Sequence, residues 1–105
     1  MRTYLKFDGK SIACGSIDPL PGCSQMAVFH SAFVLPQYRG TGHSLKAHYE
    51  RPHTAKEALY DAAVCTVDSS NKGQIRILEN YGWKCVHTFN SSKTGHDVQM
   101  WVKNL

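Results

Sequence analysis

The stretch Val34-Leu35-Pro36-Gln37-Tyr38-Arg39-Gly40-Thr41-Gly42-His43 constrains this chain most, because an apolar strand pattern gives way there to helix-forming sequence through one proline and two glycines. It reads as a strand, a tight turn and the start of a helix. Gly40 and Gly42 have no Cβ and can take positive φ, so backbone N–H groups around them can converge on an anion. A helix beginning near Gly42 adds unpaired N–H groups and the positive end of its dipole. A pyrophosphate is the simplest occupant. An ordinary strand-to-helix connection is the alternative that two glycines alone leave open.

Upstream of that turn, residues 3–7 and 11–17 are β-prone runs around Asp8-Gly9-Lys10, and a D-G pair between such runs signals a hairpin. Asp18 to Ser24, with Pro19, Pro21 and Gly22, reads as a turn-rich connection. Residues 26–35 are apolar at both alternating sets of positions except at His30 and Ser31, which predicts a strand in the middle of a sheet.

Downstream, residues 44–50 favour helix, Pro52 would kink or split a helix running through it, and Ala55, Ala58, Leu59 and Ala62 recur at helical spacing. Residues 63–67 form a second buried strand, so strand, turn, helix and strand make a right-handed parallel crossover. A further helix follows Asn71, whose place three residues before Gln74 resembles a capping box. Gly82 suits the helix end, with Trp83 packing back on Leu78. Two last strands, 83–89 and 98–102, flank a polar loop.

A chain of 105 residues with 42% apolar and 19% charged residues is one globular domain, 1–105, not a disordered segment. The net charge of +4 favours anionic partners, yet its twelve Lys and Arg are scattered. Nucleic acid is a poor fit, since no basic and aromatic module is present. A nucleotide triphosphatase is disfavoured because the turn lacks a G-K-[ST] ending. Residues 19–38 are uncharged but broken by Pro, Gly, Ser, Gln and His, so no membrane span is expected. Cys14, Cys23, Cys65 and Cys85 form no C-x-x-C pair, and residues 1–6 lack the apolar core of a secretory signal, which points to reduced thiols in the cytoplasm. Of the four, Cys14, Cys65 and Cys85 are expected in the core. His43, His48 and His53 are five apart, about 140° round a helix, so no metal site is expected.

Gln37-Tyr38-Arg39-Gly40-Thr41-Gly42 matches the Q/R-x-x-G-x-G/A acetyl-CoA signature, Val34-Leu35-Pro36 matches the V-x-P that precedes it, and Asn71 with Gly82-Trp83 matches an N…G-F/W segment. In these respects nearly the whole chain, residues 2–103, resembles the GCN5-related N-acetyltransferases. The resemblance implies an α/β (α+β) fold with a mixed, mostly antiparallel sheet, a splayed central parallel strand pair and helices packed on it. It implies that acetyl-CoA is the cofactor and an amine the acceptor. Backbone groups across Gln37, Tyr38, Arg39, Gly40, Thr41, Gly42 and His43 would hold the CoA pyrophosphate, with Arg39 adding charge. The strand edge at Phe33 and Val34 would bind the pantetheine arm, and Asn71 would approach it from across the cleft. The amine would attack the thioester directly, with a strand N–H polarising its carbonyl.

Two departures from the family pattern bear on catalysis. Many members carry a Tyr that protonates the departing thiolate, where this chain has Leu78; Tyr81, one turn on, is the available substitute, or a packing residue. His30 is the candidate general base, since its ordinary pKa lies near 6.5, or else a hydrogen-bonded cleft histidine. Family members also begin with a strand and two helices that wall the acceptor site, whereas this sequence opens at the D-G hairpin. A large acceptor, or a second subunit in a homodimer, would complete the cleft. The remaining reading is a CoA-binding module of weak or absent activity that acts through protein interaction.

Overall fold

A computed structural model describes the backbone of residues 1–105 and every side chain except those of residues 43 and 44. Strands β1 (Arg2–Phe7), β2 (Lys10–Leu20) and β3 (Cys23–Val34) are followed by a 3₁₀ turn (Pro36–Tyr38) and helix α1 (Gly42–Glu57). Strand β4 (Ala62–Asp68), helix α2 (Lys72–Asn80) and strands β5 (Lys84–Asn90) and β6 (Asp97–Asn104) complete the chain. The sheet has six strands in the order β1-β2-β3-β4-β6-β5. Only β3 and β4 run parallel. This is the mixed, mostly antiparallel α/β arrangement expected from the sequence.

The D-G hairpin forms, with Asp8 and Gly9 both at positive φ (51° and 78°), as a tight two-residue turn requires. The proline-rich stretch after it is not a loop. Strand β2 runs through Pro19 to Leu20, and Pro19 pairs with Ala27 of β3. Strand β1 pairs with β2 only as far as Arg2 opposite Ser16, so Pro19 lies where β2 is an edge, where proline is tolerated.

The parallel pair is short. Met26, Ala27 and Val28 face Ala62, Ala63 and Val64, and beyond these the register ends while both strands continue. The two strands therefore splay toward their C-terminal ends. On its other side β3 carries a bulge, with Ser31 and Ala32 opposite Gly15 alone. Ser31 adopts φ 54°, the left-handed conformation of a bulge residue.

Phe29 shows which face the helices cover. Its ring lies 4.8 Å below the Arg51 guanidinium of α1 and meets the Trp83 ring edge-on at 5.5 Å. Ala55 of α1 and Leu78 of α2 join Ile17, Ala27, Phe29, Ala63, Val67, Trp83 and Trp101 in one buried cluster. Alternation along β3 turns His30 to the opposite face, with its partner Ser16. Cys85 corrects an expectation: it is exposed because β5 is the sheet edge, exposed along its whole length, while Cys14 and Cys65 are half-buried and all four cysteines are free thiols.

Helix α1 passes straight through Pro52 and ends sooner than the alanine spacing suggests. Leu59 N–H donates to Lys56 O (3.0 Å) and Tyr60 N–H to Ala55 O (3.1 Å), the bond pair of a Schellman ending. Leu59 thus occupies the position that favours glycine, at φ 70°, and is 86% exposed instead of joining the core. Helix α2 ends in the same motif with the residue that suits it: Gly82 sits at φ 84° and Trp83 N–H donates to Leu78 O (3.0 Å). At its start Asn71 Oδ1 accepts from Gln74 N–H (3.2 Å), a cap of about 1 kcal/mol. Just before it, Asp68 accepts from both the N–H (2.9 Å) and the hydroxyl (2.7 Å) of Ser70 and contacts His96 (3.0 Å). These bonds hold its carboxyl down at about 2.

Two stability measurements follow from these helix ends. Leu59→Gly should raise stability by about 0.5–1 kcal/mol, because a left-handed Leu costs about 1–2 kcal/mol and the added freedom of the unfolded glycine returns part of it. A thermal melt no higher than that of the parent chain would contradict the strain. For Asp68→Asn, the folded-state pKa lies below the unfolded value of about 3.9. The carboxylate's contribution is therefore complete above about pH 4 and fades as pH falls toward about 2. The variant should melt below the parent at pH 7, with the gap closing by pH 2.

Candidate functional site

The splay between β3 and β4 opens into a groove between the two helices. Its inner part, about 300 Å³, is lined by Phe29, His30, Cys65, Leu78, Tyr81 and Trp83, among others. An outer part of about 540 Å³ is lined by Phe33, Val34, Arg39, Gly40 and Leu45. His48, Arg51, Asn71, Gln74 and Ile77 border both, so the two parts form one continuous channel.

At the outer end, the two glycines differ in what the backbone asks of them. Gly40 adopts φ 73°, whereas Gly42 has an ordinary φ, and a Cβ on it would meet nothing within 4 Å. Gly40 is thus needed by the turn, and Gly42 leaves open space at the first residue of α1. The N–H groups of Tyr38, Arg39 and Thr41 donate to Leu35, Pro36 and Tyr38 carbonyls (2.9, 3.3 and 3.4 Å), closing the turn on itself. Donors for an anion therefore come from the first turn of α1, whose N–H groups have no intrahelical acceptor. The Thr41 hydroxyl bonds Tyr38 O (2.6 Å), and Gln37 is exposed on the turn. The side chain of His43 lies outside the described residues.

Leu35 N–H donates to Ile12 O (2.9 Å), and backbone groups alternate sides along a strand, so the N–H and C=O of Val34 face away from β2. Val34 therefore presents the open edge, and the neighbouring Phe33 offers an exposed ring. Arg39 folds over both, with its guanidinium 5.2 Å from the Phe33 ring centroid and Nε 2.9 Å from Val34 O. Asn71 stands across the channel at the start of α2. Its carbonyl oxygen serves the cap, which leaves the amide N–H₂ end for a ligand.

His30 sits at the bulge in a hydrogen-bonded chain. Its Nε2 is 2.6 Å from Asp18 Oδ2 and its Nδ1 is 2.8 Å from Ser31 Oγ. Asp18, held below the usual carboxylate range by its bonds to the N-terminal amine and to His30, is ionised and can only accept. Nε2 therefore carries a proton toward Asp18, and Nδ1 faces the Ser31 hydroxyl. The His30 side chain is 45% exposed, so solvent and a second reactant can reach this chain from the face opposite the helices.

Leu78 is buried in the core and brings no acid to the channel. Tyr81, the half-buried C-cap of α2, lines the inner part with its ring. Cys65 lines it as well, but burial pushes its thiol up to about 11, so it is no nucleophile at neutral pH. Among the described residues no cluster could hold a metal ion, and no helix is long and apolar enough to cross a membrane.

The sequence reading missed Asp18, His48 and Arg51. The last two were accessible: counting back from buried Ala55 by four and then three residues gives Arg51 and His48 on the inward face of α1. Burial, with Arg51 nearby, lowers the pKa of His48. Asp18 offered no such signal, because it was assigned to a loop that is in fact strand.

No family sequence model matches this chain, and no curated protein sequence does either. Solved structures do match it over nearly its whole length. One is an IAA acetyltransferase from Bacillus cereus, with a TM-score of 0.87 at 14% identity, covering 99% of this chain and 77% of that one. The ribosomal-protein-S18-alanine N-acetyltransferase from Escherichia coli gives 0.83 at 15%, covering 99% and 68%. The NatC complex bound to Gag peptide and CoA gives 0.78 at 17%, covering 90% and 62%. The fold is that of the GCN5-related N-acetyltransferases. In a chain with this fold, the open Val34 edge and Asn71 line one channel.

The two glycines can be separated by stability alone. Gly40→Ala should cost about 1–2 kcal/mol, because it forces a Cβ into the left-handed region. Gly42→Ala should be neutral or gain up to about 1 kcal/mol as a helix residue. Equal melting temperatures for the two variants would contradict this division.

Proposed function

We propose that the chain is an acyl-CoA-dependent N-acyltransferase, with acetyl-CoA the simplest donor and an amine the acceptor. The observation that carries this reading is the splay of β3 from β4, which joins a helix-side channel suited to CoA to a histidine on the opposite face. The thioester supplies the acyl group: the amine nitrogen bonds to the carbonyl carbon, the carbon–sulfur bond breaks, and the proton lost by the amine balances the departing thiolate.

The residues of the chain divide that work. The first turn of α1 and Arg39 hold the phosphates, the Val34 edge and Asn71 hold the pantetheine arm, and backbone N–H at the bulge polarises the carbonyl. His30, oriented by Asp18, takes the amine proton at Nδ1, with the Ser31 hydroxyl as the relay between them. Tyr81 is the group placed to return a proton to sulfur. A thiol leaves with a reference pKa of about 8.5, so weak acid assistance is tolerable.

The buried Leu78 favours a second reading, a CoA-binding module that acts through protein interaction. The sheet face turned away from the helices carries half-buried Val28, Val64, Met100 and Val102 on adjoining strands, and a homodimer through this face would wall the acceptor side. Light scattering tests that arrangement. A cytoplasmic setting accords with four free thiols.

CoA and acetyl-CoA should each raise the melting temperature, since a ligand at a hundred times its Kd adds about 2.7 kcal/mol. Gly42→Asp, whose side chain has room in the folded chain, should abolish that shift by placing a negative charge at the phosphate end. No shift at millimolar ligand would sink the proposal. A shift without release of free CoA thiol across a panel of amines and peptides would select the module.

A further inference from the structure

Arg51 borders both parts of the channel with its charge uncompensated. Its Nη2 donates to Ser16 O (3.2 Å), its guanidinium lies over Phe29, and its buried Nε has no hydrogen-bond partner. Among the described residues it makes no ion pair: the carboxylates that do pair are Asp18, Glu50 and Asp68, with other groups. The charged or titratable groups acting on it are Arg2, Cys14 and Cys65, and Arg51 in turn depresses His48. None of these is a carboxylate. The chain also makes room for this side chain at Gly15, where a Cβ would fall 2.7 Å from Arg51 Cζ.

A guanidinium has five N–H donors in a planar fork suited to a carboxylate, and an acetyl methyl group would leave them unmatched. The phosphates are not the answer to that charge. Arg51 lies nine residues along α1 from Gly42, about 13 Å at 1.5 Å per residue, and at the level of the bulge. It therefore borders the part of the channel next to His30 and Phe29, where the transferred group belongs.

We propose that Arg51 selects an acyl group bearing a terminal carboxylate, so that the preferred donor is a dicarboxylic acyl-CoA. The inference rests on the acyl-CoA reading above and adds the identity of the acyl group. Calorimetric titration of the whole chain with succinyl-CoA, butyryl-CoA, acetyl-CoA and CoA tests it without any acceptor. Succinyl-CoA should bind at least tenfold more tightly than butyryl-CoA, which has the same chain length without the charge. Arg51→Met, checked for folding by circular dichroism, should erase that preference, and Arg51→Lys should restore only part of it. Binding of all four ligands with no preference for succinyl-CoA overturns this inference and leaves the cofactor reading standing. Failure of all four to bind overturns both. The comparison within the parent chain decides the matter even if the variants do not fold.

Discussion

The molecule depends on a pairing that stops. Strands β3 and β4 share three register pairs and then part, although each has several residues still to run. Continued pairing would close the sheet and leave no channel between α1 and α2. Both strands are still held on their outer sides, where β3 stays paired to β2 as far as Val34 and β4 stays paired to β6 along its whole length. The N–H of Val34 is thereby left facing an opening, where a ligand can supply a partner, while its C=O accepts from Arg39 Nε.

The bulge at Ser31 is the second consequence of that geometry. One extra residue in β3 opposite Gly15 bends the strand three residues beyond Val28, where the parallel register ends. Phe29 below the bulge still packs under Arg51 and against Trp83, so the core is undisturbed on the helix side. Above it, His30 faces the other way with Asp18 and Ser31 as hydrogen-bond partners. The His30 end of that chain borders the inner part of the channel.

Most of this fold was legible in the sequence because its punctuation is local. Asp8-Gly9, Gly40, Asn71 and Gly82 each mark a turn or a helix end through their own backbone preferences, and each does so in the structure. The misreadings arose where a residue acts against its propensity. Pro19 sits in a strand because β2 is an edge there, and Leu59 ends a helix in a conformation that favours glycine. Within the site, the outer channel could be read from a linear motif. Asp18 could not, because it meets His30 only through strand register, and Cys85 was misplaced because the edge position of β5 is a property of the sheet order.

Charge distribution along the channel separates its two ends. Arg39 at the outer end is exposed and already bonded to Val34 O, so in water it stands as a weakly held, replaceable charge. Arg51 at the inner end is half-buried with its Nε out of water, and burial lowers its pKa, the mark of a cation paying for desolvation. A purely structural cap over Phe29 could be apolar at less cost. Gly15 leaves the space that the guanidinium fills, since a Cβ there would fall 2.7 Å from Arg51 Cζ and the side chain would have to shift. A half-buried cation with no carboxylate beside it among the described residues is a charge that a ligand's anion can pair.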